Sequence, residues 1–310
     1  KVNHTDPKKM IIAVESGTYR LPRGITMDLL KRWARYNEVC PGCQIAGMKD
    51  TTHLENTEEE PTERGVWYFD PQDMPQVEGD KNPGTILTFI DRMDGMIREF
   101  HVWSQDSKVI ELKIKAIQKL MIENEGFKIK ELHVDAGKNL KFAKNDNHIA
   151  GIPVMASAKD QHTRFGERYV QMINKKVRQL NSTSQFCFLR NKFYWEIRKA
   201  AVYYLNREAK ERTGNTTPAR LSGRKTHQLG MIPFGTCVAF YERTDQTKGK
   251  NQPRASFGIL LGPTPGGENH SYDVLYPTRN LSNDVDRWNI ASRNVFKAVP
   301  FRKSMFKDFG

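Results

Sequence analysis

The stretch TILTFIDRMDGMIREFHVW, residues 85–103, decides the fold. Two β-branched and aromatic runs, TILTFID (85–91) and IREFHVW (97–103), flank the turn dipeptide Asp94-Gly95, so the stretch reads as two antiparallel strands. Upstream, VWYFD (66–70) is a third run of the same texture, set off by Pro83-Gly84, and the three make a meander. Downstream, DSKVIELKIKAIQKLMIENEG (106–126) repeats Val109, Leu112, Ala116 and Leu120 at helical spacing and stops at Gly126. IKELHVD (129–135) and IPVMAS (152–157) then read as further strands.

From Thr163, Phe165, Tyr169, Met172, Ile173, Val177 and Leu180 recur every three or four residues and predict an amphipathic helix. KFYWEIRKAAVYYLNREAKER (192–212) predicts another, with Tyr194, Ile197, Ala201 and Tyr204 or Leu205 as its apolar stripe. Beyond Pro233, FGTCVAFYE, ASFGILLG, YDVLYP and NVFKAVPF are strand-like pieces between Gly-, Pro- and Lys-containing loops. Composition divides the chain into three parts. Residues 1–62 form a polar N-terminal segment running into the acidic ENTEEEPTERG (55–65), residues 63–232 an α/β core, and residues 233–310 a small β-rich domain.

The 310 residues carry 49 Lys and Arg against 36 Asp and Glu, a net charge of +13 that favours a polyanionic partner over a small neutral ligand. No apolar run approaches the ~20 residues of a bilayer span. Four cysteines are too few and too unevenly spaced for a disulfide scaffold, which fits a reducing, intracellular setting. A chain opening at Lys1 rather than Met is expected to be a processed or partial product.

The basic surplus is local. Residues 161–230 hold 15 Lys and Arg and 4 Asp and Glu, +11 of the +13. Arg164, Arg168, Lys175, Lys176 and Arg178 share the first predicted helix, and Arg190, Lys192, Arg198 and Lys199 lead into the second. They are the candidate phosphate-binding residues. Such contacts supply affinity without reading sequence, and they make an anionic membrane the weaker partner.

Three strands, a helix, a strand tipped by an acid and then more helices is the order of a ribonuclease H-like α/β sheet. In that setting, two-metal phosphoryl transfer needs carboxylates that hold two divalent cations ~4 Å apart. Asp70 ends the first strand and Asp135 the fourth, with 64 residues between them; a further 35 residues separate Asp135 from position 171. That position is a glutamine.

The spacing and its surroundings resemble the integrases of copia-type retrotransposons. TILTFIDRMDGMIREFHVW resembles that family's second and third strands, ELHVDAGKNL its Asp-bearing strand, and QHTRFGERYVQMINKKVRQL its catalytic helix. FYWEIRKAAVYYLNR, TTPARLSGRK, PFGTCVAFY and FGILLGPTPGG follow in the family's order, so the resemblance spans roughly residues 40 to 300. It implies a retroviral integrase-type mixed sheet and an Asp-Asp-Glu triad at Asp70, Asp135 and Gln171, whose third member has lost its charge.

The departures point away from catalysis. Gln171 carries no charge to hold a metal, Glu167 lies one turn earlier with its carboxylate displaced by ~5–6 Å, and Lys138 places a cation where the family has an acid. CPGC, Cys40 to Cys43, resembles half of the family's zinc finger, but its nearest histidines, His4 and His53, sit at the wrong spacing. Cys187 and Cys237 read as small core apolar groups, and His162 as a loop residue.

The resemblance and the charge together imply a repurposed, catalytically inactive integrase-like protein. It would bind nucleic-acid phosphate, RNA before DNA, beside other protein subunits in a ribonucleoprotein such as a mitochondrial ribosome in the matrix. The alternative is a nuclear retrotransposon integrase, a polynucleotidyl transferase inactive at Gln171 by nature or by engineering. The first reading needs no cofactor; the alternatives are Mg²⁺ at Asp70 and Asp135, or Zn²⁺ at Cys40 and Cys43.

Overall fold

The computed structural model describes residues 7–17, 21, 24–36, 65–75, 84–104, 106–125, 128–134, 148–156, 164–183, 193–208, 234–241, 255–264, 271–278, 287–293 and 296–299. Two short helices open the chain, α1 (Pro7–Glu15) and α2 (Met27–Tyr36), with Met10, Ala13 and Leu30 buried between them. The core follows: β1 (Val66–Asp73), β2 (Thr85–Asp91), β3 (Ile97–Val102), α3 (Ser107–Glu125), β4 (Glu131–Val134), β5 (His148–Ile149), β6 (Ile152–Ala156), α4 (Arg164–Thr183) and α5 (Tyr194–Arg207). Its six strands form one mixed sheet in the order β3-β2-β1-β4-β6-β5.

The predicted hairpin is present. β2 and β3 pair antiparallel, with Ile90 opposite Ile97, and β2 also pairs antiparallel with β1. Asp91 closes the turn: its Oδ1 accepts the amides of Met93 at 2.7 Å and Asp94 at 3.0 Å, and Gly95 follows at φ 65°. β4 then runs parallel to β1, β6 parallel to β4, and β5 folds back antiparallel on β6.

Strand alternation sorts the side chains onto two faces. Trp67, Phe69, Leu87, Phe89, Leu132 and Val134 face α3 in one core. Tyr68, Ile90 and Ile97 face α4 and α5 in the other, where Ile173, Val177, Leu180, Ile197, Ala201, Tyr204 and Leu205 are buried. The stripes predicted for these two helices are therefore the ones packed.

For α3 the outcome differs. Ile110, Ile114, Ile117 and Met121 are in the core, whereas Val109, Leu112 and Leu120 are 42%, 65% and 49% exposed. One residue is ~100° of helix rotation, so the two stripes are separate faces with equal periodicity, and the bulkier isoleucine face meets the sheet.

Beyond α5, β7 (Cys237–Tyr241), β8 (Ala255–Pro263), β9 (Tyr272–Thr278), β10 (Arg287–Arg293) and β11 (Phe296–Ala298) make a separate antiparallel sheet, ordered β10-β9-β8-β7-β11. Cys237 is one of its buried apolar groups, and burial pushes its thiol pKa up. The sheet meets the core along α5. At Gly262 the backbone comes close enough that an added Cβ would lie 3.5 Å from the Ala200 methyl. No helix among the described residues is long and apolar enough to cross a membrane.

Candidate functional site

Asp70 lies on β1 two residues beyond Tyr68, so its side chain is on the sheet face covered by α4 and α5. The ladder register places Thr88 of β2 beside Asp70 and Glu99 of β3 beside Thr88. Three polar residues therefore cross the meander in one row beneath the helices. Such a row is costly in an apolar interior unless each group finds a partner.

Arg198 supplies it from α5. Its Nε donates to both Glu99 carboxylate oxygens at 2.9 and 2.8 Å, one terminal nitrogen reaches Glu99 at 2.6 Å and the Gln72 amide oxygen at 2.7 Å, and the other reaches Tyr194 Oη at 3.1 Å and Asn174 Oδ1 at 3.4 Å. Gln72 passes the connection on, its Nε2 donating to Asp70 Oδ2 at 2.7 Å, while Thr88 Oγ1 donates to Glu99 at 2.9 Å. Arg198 is 1% exposed. Burial works against its charge, but the Glu99 carboxylate outweighs burial and holds the guanidinium pKa above its ordinary value.

Two of the three triad positions, Asp70 and Gln171, fall among the described residues. Asp70 is tied to Gln72; Gln171, half-buried on α4, donates from Nε2 to Glu167 Oε1 at 3.2 Å, so the amide and the carboxylate one turn before it are joined to each other. Asp135, Lys138, Cys40, Cys43, Cys187, His4, His53 and His162 lie outside the described residues. Among the described residues no three His, Cys, Asp or Glu gather as a metal site.

The basic residues divide. Arg168, Lys175 and Arg178 are exposed and fall with Gln171 on one stripe of α4 at spacings of three and four. Lys199 is half-buried with its Nζ 3.6 Å from Asp273 of β9. Two candidates require correction: Lys176 and Arg198 do not face solvent. Lys176 is 3% exposed, and its Nζ meets Glu208 at 2.7 Å. Phase explains both, since Lys176 is four residues after Met172 and four before Leu180, and Arg198 is four after Tyr194 and four before Val202. Arg190 and Lys192 are outside the described residues, and Arg164 is described for its helical backbone alone.

Glu208, just past α5, also accepts Lys9 of α1 at 3.0 Å, so one carboxylate ties the N-terminal helix pair to α4 and α5. Burial would raise its pKa, but Lys176 and Lys9 prevail and hold it below the ordinary carboxylate value. A carboxylate with a lowered folded-state pKa contributes stability that is present at neutral pH and is lost as pH falls through its folded value. Urea midpoints between pH 7 and pH 3 should therefore show an acid limb below about pH 4.5 that flattens in Glu208→Gln. An unchanged limb in that variant would assign the acid loss elsewhere.

Glu99, Gln72 and Asn174 carried no sequence signal. Their role follows from strand register and from the helix that happens to lie above. Among protein-family models and curated proteins, none matches this chain.

Proposed function

We propose that this is a ribonuclease H-like, integrase-derived protein that has exchanged two-metal chemistry for the binding of nucleic-acid phosphate, RNA before DNA, within a larger ribonucleoprotein. The observation that carries the reading is the buried guanidinium of Arg198 above the row of Asp70, Thr88 and Glu99. A site that recruits two divalent cations presents unpaired carboxylate oxygens; here Glu99 is taken by an internal cation and Asp70 accepts from the Gln72 amide. The strand order β3-β2-β1-β4-β6, antiparallel through the meander and parallel thereafter, supports the ribonuclease H-like assignment, with β5 as an added hairpin arm.

The outer stripe of α4 is the phosphate contact. Arg168, Lys175 and Arg178 stand on it with neutral Gln171 between them, so the position that would hold a catalytic acid lies in a basic surface. A mitochondrial ribosome is the assembly that best fits a basic, structural, integrase-like subunit. Changing Arg168, Lys175 and Arg178 together to Gln should weaken RNA binding and reduce the slope of log K against log salt by about two to three units, at 0.7–0.9 per phosphate contact. Measured by fluorescence anisotropy from 50 to 300 mM salt, a slope unchanged from the parent would refute the stripe as the interface. Sequencing the nucleic acid that co-purifies from the native source separates the settings: stable RNA with many protein subunits fits architecture, and element-derived DNA ends fit a transposon integrase.

A further inference from the structure

α5 packs against the core with one face and against the C-terminal sheet with another. Glu196, Lys199, Ala200 and Tyr203 make up the second face, and with Leu261 and Gly262 of β8 and Asp273 of β9 they line a crevice of about 20 Å³. That is room for about one water, whereas an ionised carboxylate needs a hydration shell or a set of fixed donors. Asp273 has such a set. Its Oδ1 accepts the hydroxyls of Thr264 at 2.9 Å and Ser292 at 3.1 Å, and its Oδ2 lies 3.6 Å from Lys199 Nζ. Glu196, half-buried one turn before Lys199, has its own backbone amide and a share of the same lysine.

The other ionisable groups around the joint are placed for other contacts. Arg207 stands 3.6 Å over the Tyr203 ring, and burial raises the Tyr203 pKa. β8 has no ionisable side chain along Ala255–Pro263, and Cys237 of β7 is a buried thiol. Lys297 of β11 is exposed at the border of the sheet. Arg293 of β10 lies over Phe240, and it pairs with Tyr272, whose side chain alternates away from that of Asp273.

We infer that this joint is a proton-operated latch: protonated Glu196 lets α5 close on β8 and β9, and ionised Glu196 sets two carboxylates in competition for one lysine and loosens the contact. Burial, joined by repulsion from Asp273, outweighs the backbone amide and Lys199, so the Glu196 pKa lies above its ordinary value. The closed joint therefore binds the proton more tightly than the open one. Closure is strongest at low pH and weakens as pH rises through the folded Glu196 value. The sense is opposite to that of Glu208, and the latch stands apart from any nucleic-acid role.

Hydroxyl-radical footprinting of the full-length protein from about pH 5 to pH 8 reads the joint directly, because Tyr203 and Leu261 both line the crevice. Their oxidation, measured against exposed Leu112, should rise severalfold towards high pH. In Glu196→Gln it should stay at the low-pH level throughout, which separates Glu196 from any histidine that titrates over the same range. Lys199→Met should move the rise to higher pH, since removing the cation disfavours the ionised carboxyl further. A parent unchanged across the range, a Glu196→Gln protein that still responds to pH, or one open at every pH would overturn the latch. Continued protection of Phe89, which is fully buried in the core, distinguishes a loosened joint from unfolding in each variant.

Discussion

Replacing Arg198 with methionine should lower the unfolding free energy by about 3–5 kcal/mol, because it leaves the Glu99 carboxylate buried without its counter-charge. Both side chains are 2% exposed, so water cannot take over the lost contacts. Gln72, Tyr194 and Asn174 lose their guanidinium donors in the same change. The loss belongs to the broken network and not to the shape of the residue. The double variant Arg198→Met/Glu99→Leu should therefore recover much of it, since an apolar pair of similar volume frequently matches or exceeds a buried ion pair. Urea denaturation of the two single variants and the double completes the cycle. A double variant as unstable as the sum of its parts would mean that Glu99 and Arg198 act independently, contrary to their bidentate geometry.

Gly166→Ala should cost a further large amount, about 1–3 kcal/mol, although helix propensity argues the other way. Ala is better than Gly by about 1 kcal/mol within a helix, and Gly166 has no need of a positive φ. Packing decides the sign. A Cβ at position 166 would come 2.1 Å from Tyr68 Cζ and 2.3 Å from two other carbons of the same ring, and Tyr68 is only 4% exposed on a central strand. The ring cannot yield, so α4 must lift from β1. Thermal melts with and without Tyr68→Leu test this: the Ala substitution should cost much less when the ring is absent. Stabilisation by Gly166→Ala alone would show that α4 is not seated on β1 as described.

The elements were legible wherever one face had to be apolar and the other did not. The hairpin at residues 85–103 and the stripes of α4 and α5 follow from periodicity, and burial agrees with them. α3 was legible as a helix but not in its orientation, because Ile110/Ile114/Ile117 and Val109/Leu112/Ala116 satisfy the same spacing and only the sheet chooses between them. The candidate site was legible in the positions Asp70 and Gln171. It was illegible in its chemistry, since Asp70 accepts from Gln72, and Gln72 is held in turn by an arginine on a helix more than a hundred residues away. Lys176 and Arg198 were misplaced by counting charges without phase. Their spacing from Met172, Leu180, Tyr194 and Val202 already put them on the packed side.

The six-stranded sheet ends unevenly, and this governs how the protein behaves in a crowded solution. One border is β5, two residues long, too short to template another chain. The other is β3, six residues with Arg98 directed to one face and Glu99 to the other. Burial lowers the Arg98 pKa, so that charge is already held at a cost in its native surroundings. A foreign strand adding to β3 would also meet a border where the Ile97 N–H and carbonyl are already taken by the Asn206 side chain of α5, at 2.9 and 2.8 Å. The border of this sheet that is long enough to recruit a neighbour is thus the one least hospitable to it, which works against strand addition there.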